Sequence, residues 1–133
     1  MSATLPAPPL LCRGYLLDTS VVSALAPDRK TCVPSTFADW LQLHDAQLFL
    51  PAIAVAELAQ GIAKLHRSGG VERAQQPDRS LDGLIAGFAD RILPFDAQTA
   101  RLAGRISNAT MVQGKHSGFP DVAIAALAQN ARL

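Results

Sequence analysis

Asp18 closes the apolar run Tyr15-Leu16-Leu17. Glu57 lies within Ile53-Ala54-Val55-Ala56-Glu57-Leu58-Ala59-Gln60-Gly61, and Asp121 opens the run Asp121-Val122-Ala123-Ile124-Ala125-Ala126-Leu127-Ala128. Carboxylates gathered from three separate elements repel one another, and a hard divalent cation such as Mg²⁺ or Mn²⁺ is what commonly holds such a group together. The order strand-Asp, helix-Glu, helix-Asp therefore points to a metal-dependent site for phosphate chemistry. Each residue alone has a plainer explanation: Asp18 and Asp121 as caps of the helices that follow them, and Glu57 as a solvent-facing helix residue. It is the ordered set that favours chemistry.

For these side chains to meet, the elements that carry them must converge. Residues 14–18 read as a short buried strand, apolar on consecutive positions as central parallel strands are. Thr19 or Ser20 then caps a helix reaching about Ala26. A second helix starts at Pro34-Ser35, with Phe37, Trp40, Leu41 and His44 at helical spacing. Gln47 to Leu50 is a second strand, and Pro51 begins the turn into the helix of Glu57. In that helix Val55, Leu58, Ile62 and Leu65 are predicted to form the core stripe, with Glu57 on another face beside Ala54, Gly61 and Lys64.

Ser68 to Asp78 reads as a polar loop, followed by a helix through Leu81, Leu84, Ile85 and Phe88. Arg91 to Phe95 is a third strand, placed at an edge by Pro94. Asp96 is the expected N-cap of a helix with Leu102, Ala103, Ile106 and Ala109 inward. Gly114 to Gly118 is a basic loop, and the helix opened by Asp121 is apolar nearly all round and should be buried. There is no internal repeat. This alternation predicts one α/β domain: a parallel sheet flanked by helices. In such sheets ligand groups collect beyond the carboxyl ends of the strands, where Asp18 and Glu57 fall.

Composition sets the outer bounds. The chain has 133 residues, nearly half of them apolar and 17% charged, which describes one globular domain rather than a disordered chain. A net charge of +1 gives no global field to attract a polyanion, so nucleic acid would have to be held locally or through a metal. Cys12 and Cys32 have neither the number nor the spacing of a disulfide framework or a zinc site, and a reducing cytoplasm is the default. No apolar stretch approaches the ~20 residues of a membrane span. The opening Met1 to Pro9 lacks the features of a secretory signal, so 1–13 is expected to be an unstructured leader.

Leu16-Leu17-Asp18-Thr19-Ser20-Val21-Val22-Ser23 resembles the opening strand and turn of PIN-domain ribonucleases. Val55-Ala56-Glu57-Leu58-Ala59-Gln60-Gly61 resembles their second motif, Leu93-Pro94-Phe95-Asp96 the segment before their fifth helix, and Asp121-Val122-Ala123-Ile124-Ala125-Ala126 their third motif. The likeness spans residues 14–133 and is greatest to the VapC/FitB-like toxins of bacterial toxin–antitoxin pairs. It implies a PIN domain over 14–133 in which Asp18, Asp121 and Glu57 bind one or two Mg²⁺ or Mn²⁺ ions. Water activated by the cation would then cleave an RNA phosphodiester, leaving 5′-phosphate and 3′-hydroxyl ends. Ser20 would orient a ligand or its water, Lys115 is a candidate contact for RNA phosphate, and Gly61 leaves space beside Glu57. The resemblance further implies a homodimer and silencing by a cognate antitoxin.

Two departures stand out. The family carries a fourth acidic residue after a further strand, whereas this sequence ends at Ala131-Arg132-Leu133. The usual C-terminal strand region is thus expected to be missing, leaving 14–18 as an open edge. Ala54 stands where many relatives have Thr. The alternative function is a catalytically inactive or truncated PIN-like protein that only binds an antitoxin or other partner. A haloacid-dehalogenase reading needs a second Asp at position 20, where Ser20 stands. His44, His66 and His116 show no ligand spacing, and Arg67, Arg73 and Arg79 are read as solvated charge.

Overall fold

The computed structural model describes residues 14–24 and 35–133. Three short parallel strands, β1 (Tyr15–Leu16), β2 (Leu48–Pro51) and β3 (Ile92–Leu93), pair in the order β1-β2-β3. Six helices surround them: α1 (Thr19–Ala24), α2 (Ser35–Leu43), α3 (Ala52–Gly69), α4 (Val71–Phe88), α5 (Ala97–Val112) and α6 (Phe119–Ala131). The α/β class and the parallel sheet agree with the sequence. The expected leader over 1–13, both cysteines and the stretch expected to end α1 and begin α2 lie outside the described residues.

β2 is the strand that lies between two others. Leu48, Leu50 and Pro51 are buried, and Leu50 is wholly so, a burial that stabilises by roughly 1.5–3 kcal/mol. β1 stands at an edge of the described sheet, as expected for 14–18 without a further strand beside it, and Tyr15 is exposed although the consecutive apolar residues read as a buried strand. The Tyr15 ring meets Trp40 edge-on at 4.8 Å, and Trp40 stacks on His44 at 4.3 Å. Gly14 lets β1 enter closely, because a Cβ there would collide with the Gln47 carbonyl and the Phe49 ring.

The expected loop over 68–78 is not a loop. α3 runs to Gly69, a single residue, Gly70, turns the chain at φ 87°, and α4 starts at Val71 with Pro77 inside it. A proline at this position removes one helical hydrogen bond and clashes with the preceding turn, at a cost of about 3 kcal/mol. The α3–α4 contact, the most extensive between any two elements, offsets that cost. Polarity had suggested a loop because most of α4's first two turns faces solvent.

Two apolar clusters result. The larger joins Leu17, Val22, Leu41, Leu48, Leu50 and Ala54 across the sheet, α1, α2 and α3. The smaller is Ala103 of α5 with Val122 and Ala126 of α6, flanked by Phe95, Leu102 and Ile106. Ala109, expected inward, is exposed. Asp96 caps α5 as expected, accepting from the Thr99 amide at 2.8 Å, and the buried Thr99 hydroxyl accepts from Asn130 Nδ2 at 3.3 Å.

Candidate active-site cleft

Beyond the carboxyl end of β1 the chain turns at Asp18, whose carbonyl accepts from the amides of Val21 and Val22, both at 3.1 Å. Asp18, not Thr19 or Ser20, therefore holds the N-cap position of α1. Thr19 spends its hydroxyl elsewhere, donating to Glu57 Oε1 at 2.7 Å, while Ser20 Oγ donates to Asp18 Oδ2 at 3.1 Å. Glu57 rides on the second turn of α3, directly after β2. Asp121 is the third residue of α6. The N-cap there is Gly118 and Pro120 fills a position whose amide needs no partner, so Asp121 is not the cap of its own helix.

Asp18, Glu57 and Asp121 all line one open cleft of about 1210 Å³ between α1, α2, α3 and α4. Its described lining contains a further carboxylate, Asp45, and no Lys, Arg or His. Asp45 carries no sequence motif and went unnoticed in the sequence. It opens a 3-10 turn before β2, and its backbone carbonyl is held by Arg91 Nη1, which also donates to the Leu48 carbonyl at 2.9 Å. Because Asp45 precedes β2 and Glu57 follows it, the four-residue strand separates them by roughly 13 Å of backbone.

Sharing a cleft is not the same as forming a cage. Among the described residues, no three His, Cys, Asp or Glu side chains stand close enough together to hold one ion. Unit charges 4 Å apart repel by about 4 kcal/mol near a protein surface, which favours separate positions. Hydroxyls from the first turn of α1 hold two of the three. The donors available are all oxygens, the chemistry of Mg²⁺ or Mn²⁺ sites rather than of zinc.

The apolar lining corrects part of another expectation. Of the expected core stripe, Val55 and Leu58 pack half-buried against the larger apolar cluster, while Leu58, Ile62 and Leu65, all half-buried, form one wall of the cleft. The fully buried residue of α3 is Ala54, which the spacing had put beside Glu57. Leu81, Leu84, Phe88 and Pro77 of α4 continue that wall. Gly61 also lines it, with open space where a Cβ would project. Lys115 is exposed in the loop before α6 and is not part of the lining; Arg67, Arg73 and Arg79 are exposed as well. His44 Nδ1 lies 2.8 Å from the Trp40 carbonyl, away from the cleft.

Comparison with known proteins places this geometry. The family model described as PIN domain matches residues 15–133. The chain is 36% identical to Toxin FitB of Neisseria gonorrhoeae over 115 residues, covering 86% of this chain and 79% of that protein. It is 34% identical to VapC ribonuclease Y4jK of Sinorhizobium fredii over 117 residues, covering 85% and 78%. Among solved structures it is similar to FitAcB from Neisseria gonorrhoeae, with a TM-score of 0.73 and 34% identity over 89% of this chain and 82% of that one.

Proposed function

The chain belongs to the PIN-domain family, and from that premise we propose that it is an endoribonuclease dependent on Mg²⁺ or Mn²⁺ and the toxin of a toxin–antitoxin pair. One observation carries this reading. Carboxylates from α1's cap, α3 and α6 line a single cleft whose described lining has no cationic side chain. Such a lining repels a phosphodiester unless a cation stands between them.

Asp18 and Asp121 would hold such ions directly and Glu57 directly or through water, with no more than two of these carboxylates on any one ion in the geometry described. Bound there, the cation supplies Lewis acidity toward a phosphoryl oxygen and makes water a nucleophile at neutral pH. The chain's own groups do the positioning. Ser20 fixes Asp18 from the neighbouring turn, and Gly61 keeps the wall beside Glu57 low enough for a backbone or side chain to pass. Lys115, in the loop that leads into α6, would meet a flanking phosphate and add affinity without sequence preference.

The apolar wall from Leu58 to Phe88 offers more greasy surface than a phosphodiester needs, and it fits a segment of a cognate antitoxin. The same wall favours the second reading, a partner-binding module without catalysis. Homodimer formation belongs to the proposal through the family likeness, as does a cytoplasmic setting. No described helix is long and apolar enough to cross a membrane.

Incubation of the purified protein with single-stranded RNA separates the two readings. Cleavage with Mn²⁺ or Mg²⁺ that EDTA stops, and growth inhibition lost in Asp18→Ala and Asp121→Ala, is the expected result. Metal-independent, non-toxic protein that still captures an antitoxin peptide would establish the module instead.

A further inference from the structure

The two hydroxyls at the head of α1 serve different carboxylates, and their bonds differ in kind. Ser20 to Asp18 is a contact between residues two apart, exposed, and available whenever the turn forms. Thr19 to Glu57 spans 38 positions, is half-buried and exists only when α1 packs against α3. The long Glu57 side chain, on a helix that otherwise presents an apolar wall to the cleft, is held at Oε1 by that hydroxyl. Thr19 is β-branched, so few rotamers compete with the one that aims its hydroxyl.

Resting on the cation-binding reading above, we propose that Thr19 is a positioning residue for Glu57. By engaging one lone pair of Oε1 it fixes the plane of the carboxylate and leaves Oε2 wholly free, so that Glu57 presents its oxygens to a cation at a fixed place. Partners of this kind around a metal-binding side chain typically change metal affinity ten- to a hundredfold.

Calorimetric titration of the full chain with Mn²⁺ alone tests this. Thr19→Val keeps the shape and removes the hydroxyl; its Mn²⁺ affinity should fall at least about tenfold, the lower end of that range. Thr19→Ser keeps the hydroxyl and should retain wild-type affinity. Because the effect passes through Glu57, adding Thr19→Val to Glu57→Gln should cost little more. Should Thr19→Val not fold, Thr19→Ala takes its place in the same cycle. Wild-type affinity in the hydroxyl-free variant, equal losses in Val and Ser, or an undiminished loss in the Glu57→Gln background would each overturn the proposal. A wild-type protein that takes up no Mn²⁺ is a distinct result, which removes the cation-binding reading itself.

Discussion

The two sides of the cleft hold their carboxylates by different means. On the side built from β1, α1 and α3, Asp18 and Glu57 each accept a hydroxyl from the first turn of α1, and the larger apolar cluster lies directly beneath. On the α6 side, Asp121 is exposed in the first turn of its helix, behind the Gly118 cap. Its place is set by how α6 lies on α5 and α3, through small buried residues such as Ala123 and Ala126. One side orients its acids by polar contacts; the other delivers its acid by backbone packing. Polar orientation tolerates small shifts of the backbone, because a side chain can follow its partner. Packing against alanines does not, since there is no side chain to adjust.

Removing charge should affect both sides alike and give the largest effect. Asp18→Asn and Asp121→Asn are each expected to slow RNA cleavage by at least about a hundredfold, the order seen when a group that stabilises transition-state charge is lost. Near-native rates in Asp121→Asn would reduce the α6 side to scaffold and break the comparison. Next in size is the core beneath the polar side: Leu50→Ala should cost about 2–5 kcal/mol in chemical denaturation.

The packed side is tested by Ala126→Leu. Overpacking there should cost about 1–3 kcal/mol and shift α6, so cleavage falls although no carboxylate is touched. An equally active variant would show that the packed side yields more than its alanines suggest.

The smallest expected effect concerns the cap of α5. The Thr99 amide and hydroxyl hold the Asp96 carboxyl below its ordinary value of 3.8. A group depressed in the folded state contributes stability above its unfolded pKa and loses it as pH falls through the folded one. The difference in melting temperature between wild type and Asp96→Ala should therefore be constant near neutrality and shrink below about pH 4. A gap that is the same at pH 3 and pH 7 would remove the ionic part of the cap.

Much of the scaffold was legible because it rests on local rules. Asp96 could be read as an N-cap from its side chain and the helical run behind it, and Pro94 marked β3 as an edge. The 68–78 stretch was misread for an equally local reason. Gly69-Gly70 and Pro77 are breaker signals, and only the long interface of α4 with α3 outweighs them. Asp45 was invisible because it sits in a 3-10 turn with no motif around it. It reaches the cleft only through the fold of its neighbours and the Arg91 bonds to its segment.

By itself the order of residues singled out Asp18, Glu57 and Asp121, which the structure brings to one cleft, and determined the helical or extended character of most segments that bear them. Both follow from charge and short-range periodicity. Only the tertiary structure decided that the stripe of Leu58, Ile62 and Leu65 walls a cleft, with Leu58 also against the core, and that Tyr15 of β1 is exposed. It also decided that Thr19 rather than Ser20 reaches Glu57. An apolar stripe looks the same whether the surface it meets is protein or a groove, and a hydroxyl's partner across 38 positions depends on how two helices pack.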